Sequence, residues 1–399
     1  MLHFPGGFRW GSTTAAHQIE GNNVNTDWWA REHASGTTIE EPSGDACDSY
    51  HRYREDMQVL ADAGLGMYRF SLEWARIEPE KGFVSRAELD HYRRMVDTAR
   101  ELGIEPMVTL HHFTIPRWFE SDGGWLAPDA VDRFARFTEA ALPVLDGVEW
   151  VCTINEPNMV AMFAGTDPAA VDSGAGAHTT MQAFGQPAPN PRVADTLLAA
   201  HRAARDVLGA AGPFRSGWTV ATQDFQPEPG CEEIARAYAY PRDAWYLEAA
   251  RGDDWVGVQA YTRTKVGADG PLPVPDDAET TLTGWEVYPG ALEDGVRLAH
   301  AMAPGVPVFV TENGIATADD ARRIEYVRGA LTGLHAAIAD GIRVEGYLYW
   351  SLLDNYEWGS YAPTFGLVAV DRETFVRAVR PSASWLGEVA RANAVESSP

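Results

Sequence analysis

The chain has 399 residues, 45% of them hydrophobic, and carries 32 Lys and Arg against 57 Asp and Glu, a net charge of −25. That content is ample for a large core, and the charge argues against nucleic acid or an anionic membrane as a partner. Three cysteines (Cys47, Cys152, Cys231) show neither disulfide nor zinc spacing, no apolar run reaches membrane-spanning length, and the N-terminus has neither a basic segment nor an apolar run. The expectation is a cytoplasmic protein with reduced cysteines and no membrane contact, for which a homo-oligomer is compatible.

Apolar strand-like runs are expected near 8–14, 67–72, 106–111, 149–154, 214–221, 255–260, 306–311 and 344–351. Helical patterns follow them near 51–63, 86–102, 129–145, 193–209, 232–250, 289–302, 321–339 and 382–392. Strands that are apolar on both faces belong in a parallel sheet covered on both sides. Eight of them, each followed by a helix, predict an α/β fold of the (β/α)8 barrel type, as one domain over 1–399. A doubly wound open sheet is the rival, but no Gly-x-Gly-x-x-Gly turn follows the first strand. The longest loops, roughly 158–192 and 262–287, follow strands four and six on the face where barrels build their sites. The tail Glu396-Ser397-Ser398-Pro399 is expected to fray.

Polar residues gather at the strand ends. Gln18 and Glu20 follow strand one, Arg69 and Glu73 are expected on strand two, and His111-His112 close strand three. Asn155-Glu156 follow strand four, Tyr261 follows strand six, Glu312-Asn313 end strand seven and Trp350 ends strand eight. Contributions from so many strand ends to one mouth are how a barrel assembles an active site. The two carboxylates are the informative pair. Glu156 and Glu312 each end an apolar strand and precede turn chemistry, Pro157 in one case and Asn313-Gly314 in the other. Glycoside hydrolysis needs two such groups, an acid that protonates the leaving oxygen and a carboxylate that attacks or positions water. His111-His112 lacks a further His or Cys at ligand spacing, so neither a metal nor another cofactor is expected. Glu20 has capping as its dull alternative, and Arg69 a structural ion pair.

With these residues in view, the chain resembles the family 1 glycoside hydrolases from about Phe4 to about Trp385. The resemblance rests on Phe8-Arg9-Trp10-Gly11 through Ala16-His17-Gln18-Ile19-Glu20-Gly21, on Tyr68-Arg69-Phe70-Ser71-Leu72-Glu73-Trp74, and on Asn155-Glu156-Pro157. Thr311-Glu312-Asn313-Gly314 and Tyr349-Trp350-Ser351 through Tyr356-Glu357-Trp358 complete it. It implies a retaining exo-β-glycosidase, most simply a β-glucosidase with some activity on β-galactosides or β-fucosides, acting on a small-molecule glycoside. Carried over position by position, it makes Glu156 the acid/base and Glu312 the nucleophile. Gln18, His112, Asn155, Tyr261, Glu357 and Trp358 would contact substrate, Trp350 would lie under the sugar ring, and Arg69 with Tyr261 would support the nucleophile. On that reading Arg69 and Tyr261 should hold the pKa of Glu312 down, while burial and the charge of Glu312 raise that of Glu156. The separation of the two carboxyls is expected at about 5–5.5 Å. Asn155 is placed for the sugar 2-hydroxyl.

The chain departs from the family pattern in places. Phe113 stands where Trp is usual after the strand-three His, and Gln259-Ala260-Tyr261 replaces Asn-aromatic-Tyr. The first change removes an indole donor near the 3-hydroxyl. Glu357 occupies the position where phospho-glycosidases of the family have Ser, and a carboxylate there would repel a dianionic phosphate. A transglycosylase using the same glycosyl-enzyme and a non-catalytic sugar-binding barrel remain the alternative readings. The loops after strands four to six do not align well, so the leaving group is not legible.

Overall fold

Eight parallel strands close on one another in chain order: β1 (Arg9–Thr13), β2 (Met67–Ser71), β3 (Glu105–His111), β4 (Trp150–Asn155), β5 (Arg215–Thr222), β6 (Val256–Ala260), β7 (Val308–Glu312) and β8 (Val344–Trp350). Trp350 lies opposite Thr13, so β8 pairs with β1 and no edge is left. The computed structural model describes residues 1–164 and 187–397. Of the long loop expected at 158–192, residues 165–186 lie outside the described residues, as do Ser398 and Pro399 of the tail.

Outside the barrel run α1 (Ser49–Ala63), α2 (Arg86–Glu101), α3 (Ala130–Ala141), α4 (Pro191–Ala211), α5 (Glu232–Ala239), α6 (Ala291–Met302), α7 (Asp320–Ala339) and α8 (Pro381–Ala392). Their starts follow capping chemistry. Ser85 accepts from the Glu88 N–H ahead of α2, and Asn190 caps α4 with Pro191 in its first turn. One face of each is buried; in α2 it is His91, Tyr92, Met95, Val96 and Ala99, the spacing of an amphipathic helix on a sheet. α5 continues through a widened turn, Tyr240–Ala244, into Trp245–Ala249.

The barrel interior has two levels. Met67, Met107, Trp150, Trp255 and Phe309 pack as an apolar plug in its lower part. One level nearer the strand C-termini the inward side chains turn polar: Arg69, Thr109, Asn155, Gln259 and Glu312. Two irregularities produce that level. Pairing between β4 and β5 shifts register between Cys152 and Asn155, so that both residues reach Arg69 despite their odd spacing. Pairing of β7 with β6 likewise shifts between Val310 and Glu312, which sets Glu312 beside Gln259. Close packing also needs glycine at two points. A Cβ on Gly257 would stand 2.4 Å from Thr219 Cγ2, and one on Gly314 would stand 2.1 Å from the Trp350 carbonyl oxygen.

Short elements not anticipated from sequence decorate the mouth. They include the helices Ala16–Ile19, Trp74–Ile77 and Pro157–Phe163, and a three-stranded sheet of Phe225–Pro227, Thr264–Gly267 and Gly270–Pro271. That sheet gives structure to the loop expected at 262–287. Among the described residues no helix is long and apolar enough to cross a membrane.

Candidate active site

A cavity of about 470 Å³ opens at the C-terminal end of the barrel, lined at its deep end by Gln18, His112, Asn155, Glu156, Glu312, Trp350, Glu357 and Trp358. Every residue expected to contact substrate is in its wall, Tyr261 included. Arg69 lies immediately beneath, fully buried.

Glu312, the last residue of β7, is held at both oxygens. Arg69 Nη1 donates to Oε1 at 2.7 Å and the Tyr261 hydroxyl donates to Oε2 at 2.7 Å. Tyr261 is itself located by the Tyr326 hydroxyl, which donates to its backbone carbonyl at 2.6 Å. Arg69 is fixed by Thr109 and Thr13 at 3.0 and 3.3 Å, and its other arm donates to Asn155 Oδ1 at 2.5 Å. Glu156 is treated differently. It sits just before the helix Pro157–Phe163 with φ 45° and ψ 60°, its N–H donates to the Thr219 carbonyl at 2.9 Å, and its carboxyl receives no hydrogen bond from the described residues. Left-handed backbone at a non-glycine residue is strained, and here it aims the side chain into the cavity.

The electrostatics follow from these contacts. Burial pushes the Glu156 carboxyl well above the usual carboxylate range, and the nearby Glu312 adds to that, against a smaller pull from Arg69. Glu312 is also raised by burial, with Arg69 and Tyr261 opposing. The expectation that these two would hold Glu312 below its ordinary value is therefore corrected: in a site this dry, desolvation outweighs one guanidinium and one hydroxyl. What the contacts secure is the order, because both donors touch Glu312 and neither touches Glu156. A proton shared between the two carboxyls resides on Glu156.

The remaining walls carry polar atoms facing inward. Gln18 Nε2 donates to Asn355 Oδ1 and to the Tyr356 carbonyl, both at 2.9 Å, and among the described residues Gln18 Oε1 is buried without a partner. His112 lies nearly parallel to the Trp350 and Trp358 rings at 6.1 and 6.2 Å, and its Nδ1 has no partner among the described residues. Burial, then Arg69, hold the His112 pKa well below its ordinary value, so the ring is neutral, with one N–H to donate and one lone pair to accept. Trp350 Nε1 donates to Glu357 Oε1 at 3.1 Å, and burial pushes the Glu357 carboxyl up to about 8. Trp358 adopts φ 52° and stacks on His17 at 5.8 Å, and His17 in turn pairs with the buried Glu32. Phe113, at φ 67°, meets Trp358 edge-on at 5.1 Å and also lines the cavity. Hydroxyl-rich ligands suit such a surface: partners are missing where a sugar's hydroxyls can supply them, and flat rings offer its C–H faces a platform.

Three strand-end residues expected near the mouth do other work. Glu20 accepts from Arg76 Nε at 2.7 Å and from the Tyr92 hydroxyl at 2.8 Å, away from the cavity wall. Glu73 lies beyond β2, not on it, and caps the helix Trp74–Ile77 while accepting from Thr114 at 2.9 Å. His111 packs edge-on against Trp125. Conversely, Thr13, Thr109 and Thr219, which orient Arg69 and Asn155, were not singled out from sequence. The signal that could have found them is a hydroxyl near the end of an otherwise apolar strand. Among the described residues no cluster of three or more His, Cys, Asp or Glu could hold a metal ion.

Comparison with known proteins decides the family. Residues 2–172 and 257–395 match the model of Glycosyl hydrolase family 1. The chain belongs to that family. Thermostable beta-glucosidase B of Thermobispora bispora is 33% identical, covering 98% of this chain and 91% of that protein. Among solved structures, beta-glycosidase BGL167 superposes with a TM-score of 0.89 at 45% identity over 99% of both chains. The beta-glucosidase of Thermotoga maritima in complex with glucoimidazole does so at 0.88 and 28% identity, over 99% of this chain and all of that one. This member of Glycosyl hydrolase family 1 is thus a glycosidase on a (β/α)8 barrel. The stretch the family model leaves unmatched, 173–256, includes α4, β5 and α5, whereas the loop after β6 lies within the matched residues.

Proposed function

We propose that this glycosidase removes non-reducing terminal β-D-glucosyl groups with retention of configuration, as one catalytic unit, with secondary activity on β-galactosides or β-fucosides. The observation that carries the reading is the asymmetry of the carboxyls: two donors on Glu312 and, among the described residues, none on Glu156. Glu312, the ionised partner, attacks the anomeric carbon. Glu156 gives its proton to the glycosidic oxygen, the C1–O bond breaks, and the aglycone leaves as an alcohol. Esterification removes the charge of Glu312, so the pKa of Glu156 falls. Glu156 then takes a proton from water, whose oxygen attacks C1 and frees Glu312. The product is the β-anomer.

Asn155, His112 and Gln18 serve the hydroxyls of that sugar, Glu357 accepts from its 4- and 6-hydroxyls, and Trp350 lies beneath its ring. A cavity of about 470 Å³, not a long open groove, suits entry of a chain end. The three cysteines are free, in keeping with work in a reducing cytoplasm. NMR of the first-formed sugar tests the reading. The β-anomer is expected, and an initial α-anomer would sink the two-step mechanism.

A further inference from the structure

We infer that Gln259 is a positioning residue that fixes the amide of Asn155 for the sugar 2-hydroxyl. The inference rests on the proposed contact between Asn155 and that hydroxyl. Gln259 is fully buried near the end of β6, directly opposite Glu312 in the barrel sheet, and it is not part of the cavity wall.

The assignment of atoms begins with Arg69, which can only donate. The Asn155 atom it meets at 2.5 Å must therefore be Oδ1. Thr219 Oγ1 at 3.0 Å and a Gln259 amide atom at 2.8 Å meet that same oxygen. Facing an acceptor, the Gln259 atom has to be the donor, Nε2. Three donors converge on one oxygen; rotating the Asn155 amide by a half-turn would set its NH2 against Arg69, which cannot accept, and would force Thr219 and Gln259 to turn as well. Asn155 Nδ2 is thereby turned towards His112 Nε2, at 3.3 Å, and the cavity. One of its hydrogens is taken by the neutral imidazole and the other is left for substrate. Donors on the carbonyl oxygen also polarise the amide and strengthen its N–H as a donor.

Two features separate this role from space filling. The other end of the Gln259 amide, Oε1, is buried without a partner among the described residues, which a mere filler would not require, since methionine has nearly the same length and no polar atom. The three donors are also not equivalent. Arg69 bridges Asn155 and Glu312, so its pull on Asn155 changes when the charge of Glu312 is lost in the glycosyl-enzyme. Gln259 is neutral and, among the described residues, makes no hydrogen bond to the Glu312 carboxyl, so its hold on Asn155 persists through both steps.

The test compares an aryl β-glucoside with its 2-deoxy analogue in Gln259→Met, Gln259→Glu and Asn155→Ala. Gln259→Met removes the orphan acceptor along with the donor, so its Tm should equal or exceed that of the parent. Its kcat/KM should fall about tenfold for the glucoside and less than about twofold for the 2-deoxy substrate, the size of one neutral hydrogen bond. Gln259→Glu keeps the length, and at a pH above the titration of the new carboxyl it presents only acceptors to Asn155 Oδ1, so there it should lose the same selectivity and should not rescue it. Asn155→Ala should show the larger version of the same split. If Asn155→Ala splits the substrates and Gln259→Met, folded, slows both alike or neither, the role of Gln259 is overturned while the site reading stands. If Asn155→Ala gives no split, both fall.

Discussion

At the deep end of the cavity, His112, Asn155 and Glu312 come from the ends of three strands, Gln18 and Glu357 from the segments that follow β1 and β8, and their polar atoms are either fixed by protein partners or face the cavity. The outer end is built from loops and short elements, and its wall there is mainly apolar: Phe113, Met159, Leu272, Pro273 and Trp285. Polar groups in that region are largely spent on each other. Arg263 forms a paired contact with Glu286 at 2.9 and 2.5 Å and donates to Gln226, and Thr281 bonds Thr283. One end can therefore read the directions of hydroxyls, while the other offers area and shape. A hydrogen-bonded pocket discriminates steeply because a missing hydroxyl leaves a buried group unpaired, whereas an apolar wall discriminates weakly. Selectivity for the sugar and tolerance of the leaving group are expected from this division.

The largest effect should come from the deep end. Glu312→Ala should lower turnover by about 10⁴-fold or more for every substrate, whatever its leaving group. Added azide or formate should restore activity and give an α-glycosyl product, identified by NMR. Glu156→Ala sharpens the contrast, because its effect should depend on what occupies the outer end. Alkyl glucosides should lose about 10²–10⁴-fold, and dinitrophenyl glucoside, which leaves without protonation, far less. Azide should then give the β-glycosyl product. Were the two azide products exchanged, the roles of the carboxyls would be reversed.

Above about pH 8, where its buried carboxyl ionises, Glu357→Ala should cost about 1.5–3 kcal/mol on glucosides and less on fucosides and xylosides, which lack the 6-hydroxyl. A pH profile checks the same contact without mutation. Burial raises the Glu357 carboxyl to about 8, so below that pH it is largely protonated, and above it both oxygens accept. The ratio of kcat/KM for glucoside over xyloside cancels the titration of Glu156 and should rise as pH increases through about 8. A flat ratio with equal losses in Glu357→Ala would make this residue a support of the fold alone. The smallest effect is expected where the two ends meet. Phe113→Trp should restore an indole donor and improve kcat/KM a few-fold for substrates bearing a 3-hydroxyl, with no gain for 3-deoxy analogues.

The deep end was also the legible end. Strands such as 255–260 and 306–311 could be placed within about two residues because an all-apolar run bounded by turn residues is constrained by burial on both faces. Glu156 and Glu312 stood out as a pair: one carboxylate at a strand end means little, but two, each capping an apolar strand, are what glycoside hydrolysis needs. Where a bland reading existed, sequence alone could not choose. Glu20 and Glu73 share the same motifs as the site residues, yet serve Arg76, Tyr92 and Thr114. The contact between Asn155 and Gln259 was hidden for another reason: it joins residues 104 apart and depends on a register shift in β4, which no local pattern encodes. The outer end was illegible because apolar loop residues satisfy no periodicity, and the sheet that carries Lys265 and Pro271 is too short to have one. The direction of the Glu312 pKa required the degree of burial, a property of the assembled barrel.

Phe113, Glu156 and Trp358 all hold left-handed backbone angles, at φ 67°, 45° and 52°. For an engineer this has a practical edge. Each position disfavours its own residue by something on the order of 1 kcal/mol, so a search for stabilising substitutions guided by backbone geometry alone would nominate glycine or asparagine at all three. Such a variant would melt later and do less, because those angles aim one of the two carboxyls and two of the rings into the cavity. Thermal hardening of this enzyme should begin in the outer helices and leave these three residues untouched.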